Sequence, residues 1–269
     1  MDQSEIIKHM KLFLLDMDGT LYLGSRLFSF TPELLSQIRR VGGKYLFLTN
    51  NSSKSVADYV KKLASLGITA TEEDFMTSSQ ATAWYLHQHH AGQRLYVCGT
   101  RSLQDELRRE GFTVTQKPEE TDCIVMGFDT ELTFQKLHDV SYLLLTRPDI
   151  PYIATNPDLV CPTEFGSVPD CGSVCAMIRN ATGREPTVIG KPSPLMPQLA
   201  MERFGYAANE TCVVGDRIYT DVKSGLNAGC TGILVMSGET TPQILAQSPD
   251  KPHLVLESAK EILDILQTL

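Results

Sequence analysis

The sequence predicts an α/β fold: a Rossmann-like, doubly wound parallel-sheet core that carries a second, smaller α/β domain as an insertion. Three observations predict it. Short apolar runs alternate with amphipathic stretches almost throughout the 269 residues, the pattern of a parallel sheet with helices on both faces. The alternation restarts between residues 80 and 185, with enough residues for a core of its own. The first apolar run, Leu12-Phe13-Leu14-Leu15, stops abruptly at Asp16-Met17-Asp18-Gly19-Thr20, at the strand end where open α/β sheets bind ligands.

The elements follow in order. Leu12–Leu15 reads as a buried strand, and Gly19 lets the chain turn away at little steric cost. Ser29 to Gly43 reads as a helix with Pro32 near its first position and a Gly42-Gly43 stop. Lys44–Thr49 is a second strand, ending in Thr49-Asn50-Asn51-Ser52. The helix after it sets Val56, Tyr59, Val60, Leu63 and Leu66 on one face and stops at Gly67. Phe75 to Ser78 is a short strand. Within the insertion, strands are expected at Arg94–Cys98, Cys123–Met126 and Tyr152–Thr155, and helices at Ser102–Glu110, Phe134–Leu145 and Ser173–Ala181. Thr187-Val188-Ile189 then resumes the core series, with a helix from Pro194 to Phe204 and a strand Thr211–Val214 closing on Gly215-Asp216. Ile218 to Ala228 is helical, Gly232–Met236 and His253–Leu256 are strands, and Glu261–Leu269 is a terminal helix. The expected domains are therefore residues 1–79 and 186–269 for the core and 80–185 for the insertion.

Composition narrows the function classes. A net charge of -8 without a basic stripe argues against nucleic acid. No stretch is long enough for a membrane span, and Met1-Asp2-Gln3-Ser4-Glu5 lacks the features of a signal peptide. The seven cysteines are odd in number and scattered without Cys-x-x-Cys pairs, which suits a reducing compartment. A cytoplasmic protein is expected, with the oligomeric state unset and a homodimer open. An acidic protein repels a phosphate dianion at long range. Any phosphate site must therefore be made positive locally.

Four pieces fall at strand ends that a parallel sheet brings to one edge: Asp16 with Asp18, Thr49-Asn50, Lys191, and Asp216 with Asp221. Each has a job in phosphoryl transfer. Asp16 is a candidate carboxylate nucleophile. Asp18 would act as general acid to the leaving oxygen, then as general base to water. The Thr49 hydroxyl and nearby backbone N–H groups would hold phosphoryl oxygens. Lys191 would set a positive charge beside nucleophile and phosphate. Asp216 would help hold Mg²⁺, which takes hard oxygen ligands, with Asp221 supporting that site. The set answers an electrostatic need, because two unit charges at about 4 Å and an effective dielectric near 20 repel by about 4 kcal/mol. Taken singly, each piece has a plainer reading. Lys191 alone is a surface lysine before Pro192, Asp216-Arg217 a capped turn, and Thr49 to Ser53 a polar loop. The cluster His87, His89 and His90 lacks the i, i+4 spacing of a helical zinc site. Cys171 and Cys175 are expected to be buried.

In order along the chain, Asp16-Met17-Asp18-Gly19-Thr20, Leu48-Thr49-Asn50-Asn51, Gly190-Lys191-Pro192 and Gly215-Asp216-Arg217-Ile218-Tyr219-Thr220-Asp221 resemble the four motifs of the haloacid-dehalogenase-like hydrolase superfamily. The form of the second motif resembles the branch of 4-nitrophenylphosphatases, ribonucleotide monophosphatases and phosphoglycolate phosphatases. That resemblance implies Asp16, Asp18 and Asp216 at the metal, Asp18 through its backbone carbonyl, and phosphate contacts from Thr49, Asn50 and Lys191. It also implies an α/β cap between the second and third motifs. Spacing supports this independently: one helix and one strand fill the interval from Asp16 to Thr49, whereas residues 80–185 are surplus between Thr49 and Lys191. Asn156-Pro157-Asp158, just after a cap strand, resembles a segment of the branch, and Asn156 and Asp158 are expected to face the substrate. Leu21 to Ser25 would form a flap nearby. The expected activity is Mg²⁺-dependent hydrolysis of a small phosphate monoester: a nucleoside monophosphate, a sugar phosphate or phosphoglycolate. A phosphomutase using the same aspartate pair and a non-catalytic phosphate-ligand sensor are the alternatives.

Overall fold

The structure is a computed structural model that describes residues 2–163 and 165–269. Its contacts divide the chain into two compact units. The first comprises the chain up to Thr49, Val56–Met76 and Lys191–Leu269; the second comprises Asn50–Ser55 and Thr77–Gly190.

The first unit is built on a six-stranded sheet in the order Leu254–Leu256, Thr231–Val235, Thr211–Gly215, Leu12–Leu15, Lys44–Thr49, Phe75–Thr77. Leu12–Leu15 lies at its centre, parallel to both neighbours, and all four residues are buried. A strand covered on both faces has no polar side to show, which is why this run is apolar throughout. Helix Thr31–Arg40 starts with proline in its first turn and stops before Gly42, whose φ is +81°. Phe13, Leu15, Phe47, Leu34 and Leu63 belong to one buried cluster that joins sheet and helices.

The order of strands fixes where a ligand can sit. From Leu12–Leu15 the chain winds outward on one side through Lys44–Thr49 and Phe75–Thr77. It later returns to the other side at Thr211–Gly215. The reversal falls between Leu12–Leu15 and Thr211–Gly215, and a crevice opens at the carboxyl ends of such a pair. Leu15 pairs with Val214, so Asp16 and Asp216 leave the sheet side by side.

The second unit has a five-stranded parallel sheet in the order Thr187–Val188, Tyr152–Ala154, Cys123–Met126, Arg94–Cys98, Thr113–Thr115. Its buried cluster includes Tyr96, Ile124, Val140, Leu143, Tyr152 and Cys175. Cys171 and Cys175 are buried there, sulfur to sulfur 4.0 Å. His87 and His89 are exposed and lie against rings, His87 on Phe112 and His89 on Tyr85.

Several elements differ from the sequence reading. Thr187–Val188 does not resume the core series: it is an edge strand of the second sheet, with Thr187 beside Ile153. Helix Cys171–Thr182 ends at Gly183 (φ +73°) and returns the chain parallel to Tyr152–Ala154, a β-α-β crossover. The second unit also takes in Asn50–Ser55 and starts at Thr77. The Ser52 hydroxyl accepts the Phe128 N–H at 2.9 Å and bonds the Thr155 hydroxyl at 2.9 Å. The stretch Ile218–Ala228 opens as a wide turn, Ile218–Val222, before the α-helix Lys223–Asn227. Asp221 folds back to accept the Arg217 N–H at 3.1 Å, and such wide turns favour functional sites. Helix Gln3–His9 and the hairpins Tyr22–Leu23/Arg26–Leu27 and Val160–Thr163/Gly166–Pro169 carry no strong periodic signal. No helix among the described residues is long and apolar enough to cross a membrane.

Candidate active site

At the reversal of the first sheet, four side chains from three distant stretches meet. The Lys191 ammonium donates to Asp16 Oδ1 at 2.7 Å, to Asp221 Oδ1 at 2.6 Å and to the Leu48 carbonyl at 3.4 Å. Lys191 is 3% exposed, so its charge is out of water and must be matched nearby. Asp16 is held by its own strand: its N–H donates to the Val214 carbonyl at 2.8 Å. Its side chain keeps 18% of its surface exposed, which leaves the carboxylate within reach of a ligand.

Asp216 is 4% exposed. Its Oδ2 accepts the Glu239 N–H at 2.6 Å, while its Oδ1 is buried with no hydrogen-bond partner. Asp16, Asp216 and Asp221 each bring a carboxylate oxygen within 4.8 Å of the others. Three carboxylates against one ammonium leave two negative charges in excess. A buried carboxylate oxygen without a partner is costly, and an all-oxygen donor set suits a hard divalent cation such as Mg²⁺. The residues therefore fit the ion. Asp16 and Asp216 would supply oxygens. Asp221, with Oδ1 on Lys191 and Oδ2 on the Arg217 N–H, holds the ammonium and the turn.

Glycines make room for these carboxylates. A Cβ on Gly19, where φ is +85°, would lie 2.4 Å from Asp216 Oδ2; one on Gly238 would lie 2.0 Å from the same atom. A Cβ on Gly215 would lie 2.3 Å from Asp221 Cβ. No side chain fits at these three positions without moving an aspartate. The Asp-Gly turn after the first strand is thus shaped around Asp216, with the Gly19 N–H on the Tyr22 carbonyl at 2.7 Å and the Ser237 hydroxyl on the Gly19 carbonyl at 2.6 Å.

Charge sets the protonation. Burial pushes the Asp16 carboxyl up to about 8, Asp221 and Asp216 add to the rise, and Lys191 opposes it. Burial and Asp221 push Asp216 up to about 6. Burial disfavours the Lys191 ammonium, but Asp16 and Asp221 outweigh it and hold its pKa above the ordinary value. A dication bound between the acids would reverse the trend for both aspartates.

The other nominated residues divide between the units. Asp18 is exposed, and its Oδ1 accepts the Gly24 N–H at 3.1 Å, so its carboxylate stands apart from the oxygen cluster. Thr49 ends its strand buried, its hydroxyl 3.4 Å from that of Tyr59. Asn50, Asn156 and Asp158 come together in the second unit, where Asp158 Oδ2 accepts from both amides. Sequence reasoning missed Gly238, Glu239 and Tyr59. The first two follow strand Thr231–Val235 at the edge where Asp216 emerges, a placement that only the strand order reveals.

Comparison with known proteins now decides the family. The profile of haloacid dehalogenase-like hydrolases matches residues 13–113, and a second profile, of HAD-hydrolase-like proteins, matches residues 188–262. The 5′-nucleotidase YutF of Bacillus subtilis is 34% identical over 95% of this chain and 98% of its own length. The chain belongs to the haloacid dehalogenase-like hydrolases. Among solved structures, this hydrolase resembles a 4-nitrophenylphosphatase of Thermotoga maritima, 38% identical with a TM-score of 0.90 over 96% of this chain and 98% of that one. It also resembles a glycerol phosphate phosphatase of Mycobacterium tuberculosis crystallised with magnesium, 31% identical with a TM-score of 0.87 over 97% of this chain and 77% of that one.

Proposed function

We propose that this hydrolase is a Mg²⁺-dependent phosphatase that removes the phosphoryl group of small monoesters through a phospho-Asp16 intermediate. The observation that carries the reading is the buried Lys191 ammonium bound to Asp16 and Asp221, with the partnerless Oδ1 of Asp216 in the same oxygen cluster. An ammonium and a cation site at one carboxylate are what covalent capture of a phosphate ester requires.

Asp16, Asp216 and the Asp18 backbone carbonyl would hold the ion, and Asp221 would support it. When bound, the ion supplies positive charge that keeps Asp16 ionised and draws charge from the transferring oxygens. An ionised Asp16 oxygen attacks phosphorus, the ester P–O bond breaks, and Asp18 donates its proton to the departing oxygen. Water then attacks the aspartyl phosphate, Asp18 takes its proton, and Asp16 and phosphate are released. Thr49, Asn50 and Lys191 hold the phosphoryl oxygens. The second unit enters the chain between Thr49 and Lys191, the position of the cap domain. All these contacts concern the phosphoryl group, not the leaving group, which favours a broad substrate range. The relatives' names span a nucleotide, a nitrophenyl ester and glycerol phosphate.

The test is phosphate release from a panel of monoesters by purified protein. Wild type should release phosphate with Mg²⁺, stop with EDTA and recover when Mg²⁺ is restored. Asp16→Asn should be inactive while still folded. Near-native activity of Asp16→Asn would overturn the reading.

A further inference from the structure

Asn50, Asp158, Asn156 and Asp170 form a chain of hydrogen bonds within the second unit. Asn50 Nδ2 donates to Asp158 Oδ2 at 2.9 Å, and Asn156 Nδ2 donates to the same oxygen at 3.1 Å. Asn156 Nδ2 also donates to Asp170 Oδ1 at 3.1 Å, and the Thr155 hydroxyl donates to Asn156 Oδ1 at 2.8 Å. Asn156 is 1% exposed. With acceptors on its nitrogen and a donor on its oxygen, its amide has one orientation.

The consequence falls on Asn50. An ionised carboxylate only accepts hydrogen bonds, so the NH₂ end of Asn50 must turn toward Asp158. The other end is packed closely: a Cβ on Gly190 would lie 2.5 Å from the Thr155 carbonyl and 2.6 Å from Asn50 Oδ1, so glycine is needed there. The backbone of Asn50 is held as well, its carbonyl accepting from the Ser78 hydroxyl at 2.6 Å. A phosphoryl group presents only acceptors, so an asparagine that meets it must offer N–H and not oxygen. A carboxylate touching the phosphoryl group itself would repel it by about 4 kcal/mol at about 4 Å and an effective dielectric near 20.

We propose that Asp158 is a positioning residue that fixes the orientation of the Asn50 amide for phosphate recognition, with Asn156 and Asp170 holding Asp158 in place. The proposal replaces direct contact of Asp158 with substrate, and it rests on the reading that Asn50 meets the phosphoryl group.

The experiment compares Asp158→Ala, Asn50→Ala and the double variant in the full chain with Mg²⁺. It measures kcat/KM for 4-nitrophenyl phosphate and for a nucleoside 5′-monophosphate, inhibition by inorganic phosphate, and Tm. Alanine at 158 removes the oxygen that accepts from Asn50 and Asn156, so nothing at that position sets the orientation of the Asn50 amide. Asp158→Ala should lower kcat/KM about ten-fold, equally for both esters, and raise the inhibition constant of phosphate by a similar factor, since one hydrogen bond is at stake. In the Asn50→Ala background the same change should cost nothing further. Should Asp158→Ala fold poorly by Tm, Asp158→Leu gives the same comparison. Losses that multiply in the double variant, or that differ between the two esters, overturn the proposal. So does a full rate for Asp158→Ala where Asn50→Ala is impaired. A full rate for Asn50→Ala removes the premise about Asn50, and an active Asp16→Asn removes the phosphatase mechanism, so the three failures are distinct.

Discussion

Replacing Lys191 by methionine removes a charge and keeps most of the side-chain length. The ammonium lies 2.7 Å from Asp16 and 2.6 Å from Asp221. At about 3 Å and an effective dielectric near 20, each contact amounts to about 5 kcal/mol of gross attraction. Desolvation of the buried lysine offsets much of this, and removing one partner of a buried pair costs about 3–5 kcal/mol net. Without the ammonium, three carboxylates share one buried site and less positive charge offsets the approach of a phosphate dianion to Asp16. A loss of about 4 kcal/mol of transition-state stabilisation corresponds to about a thousand-fold in kcat/KM. Initial rates on 4-nitrophenyl phosphate at saturating Mg²⁺, with a thermal melt to confirm folding, measure it. A folded Lys191→Met within ten-fold of wild type would show that the ammonium does not offset the carboxylate charge.

Three further outcomes are expected. Asp18→Asn alters an exposed side chain, so Tm should stay near wild type while kcat falls by about 10²–10⁴-fold; unchanged turnover would remove Asp18 as the proton donor. Gly238→Ala sets a Cβ 2.0 Å from Asp216 Oδ2 and should raise the Mg²⁺ concentration for half-maximal rate by at least about ten-fold; an unchanged Mg²⁺ titration would contradict the placement of Asp216. In EDTA, Asp16 at about 8 and Asp216 at about 6 hold protons more tightly folded than unfolded. Their contribution is complete below about 4 and fades as pH rises through 6 and 8, so metal-free Tm should fall over that range and Mg²⁺ should raise it most at the alkaline end. A metal-free Tm that rises with pH would contradict this.

The residues that carry charge were the ones legible in the sequence. Asp16 and Asp216 follow apolar runs that one parallel sheet gathers on an edge, whereas Lys191 follows Thr187–Val188 of the other sheet and Asp221 lies in the turn beyond Asp216. The strands Lys44–Thr49, Arg94–Cys98 and Cys123–Met126 were equally plain, because the buried part of each is an unbroken run with no charged residue. What escaped depends on distant partners. Gly238 and Glu239 matter only because strand Thr231–Val235 lies next to Thr211–Gly215. Thr187–Val188 reads as a strand, but nothing local says which sheet receives it. Asn50–Ser55 looks like a loop of the first unit until Ser52 is seen bonding Phe128 and Thr155. Asn156 and Asp158 stood out as a polar turn, and their mutual bonds with Asn50 needed three-dimensional coordinates.

The stereochemical course at phosphorus tests covalent capture most directly. A monoester made chiral with three oxygen isotopes, with its phosphoryl group passed to an acceptor alcohol, reports the number of displacements. Attack by Asp16 followed by attack on the aspartyl phosphate inverts phosphorus twice, so net retention is predicted. Net inversion would mean a single direct displacement, and Asp16 would then not be the nucleophile.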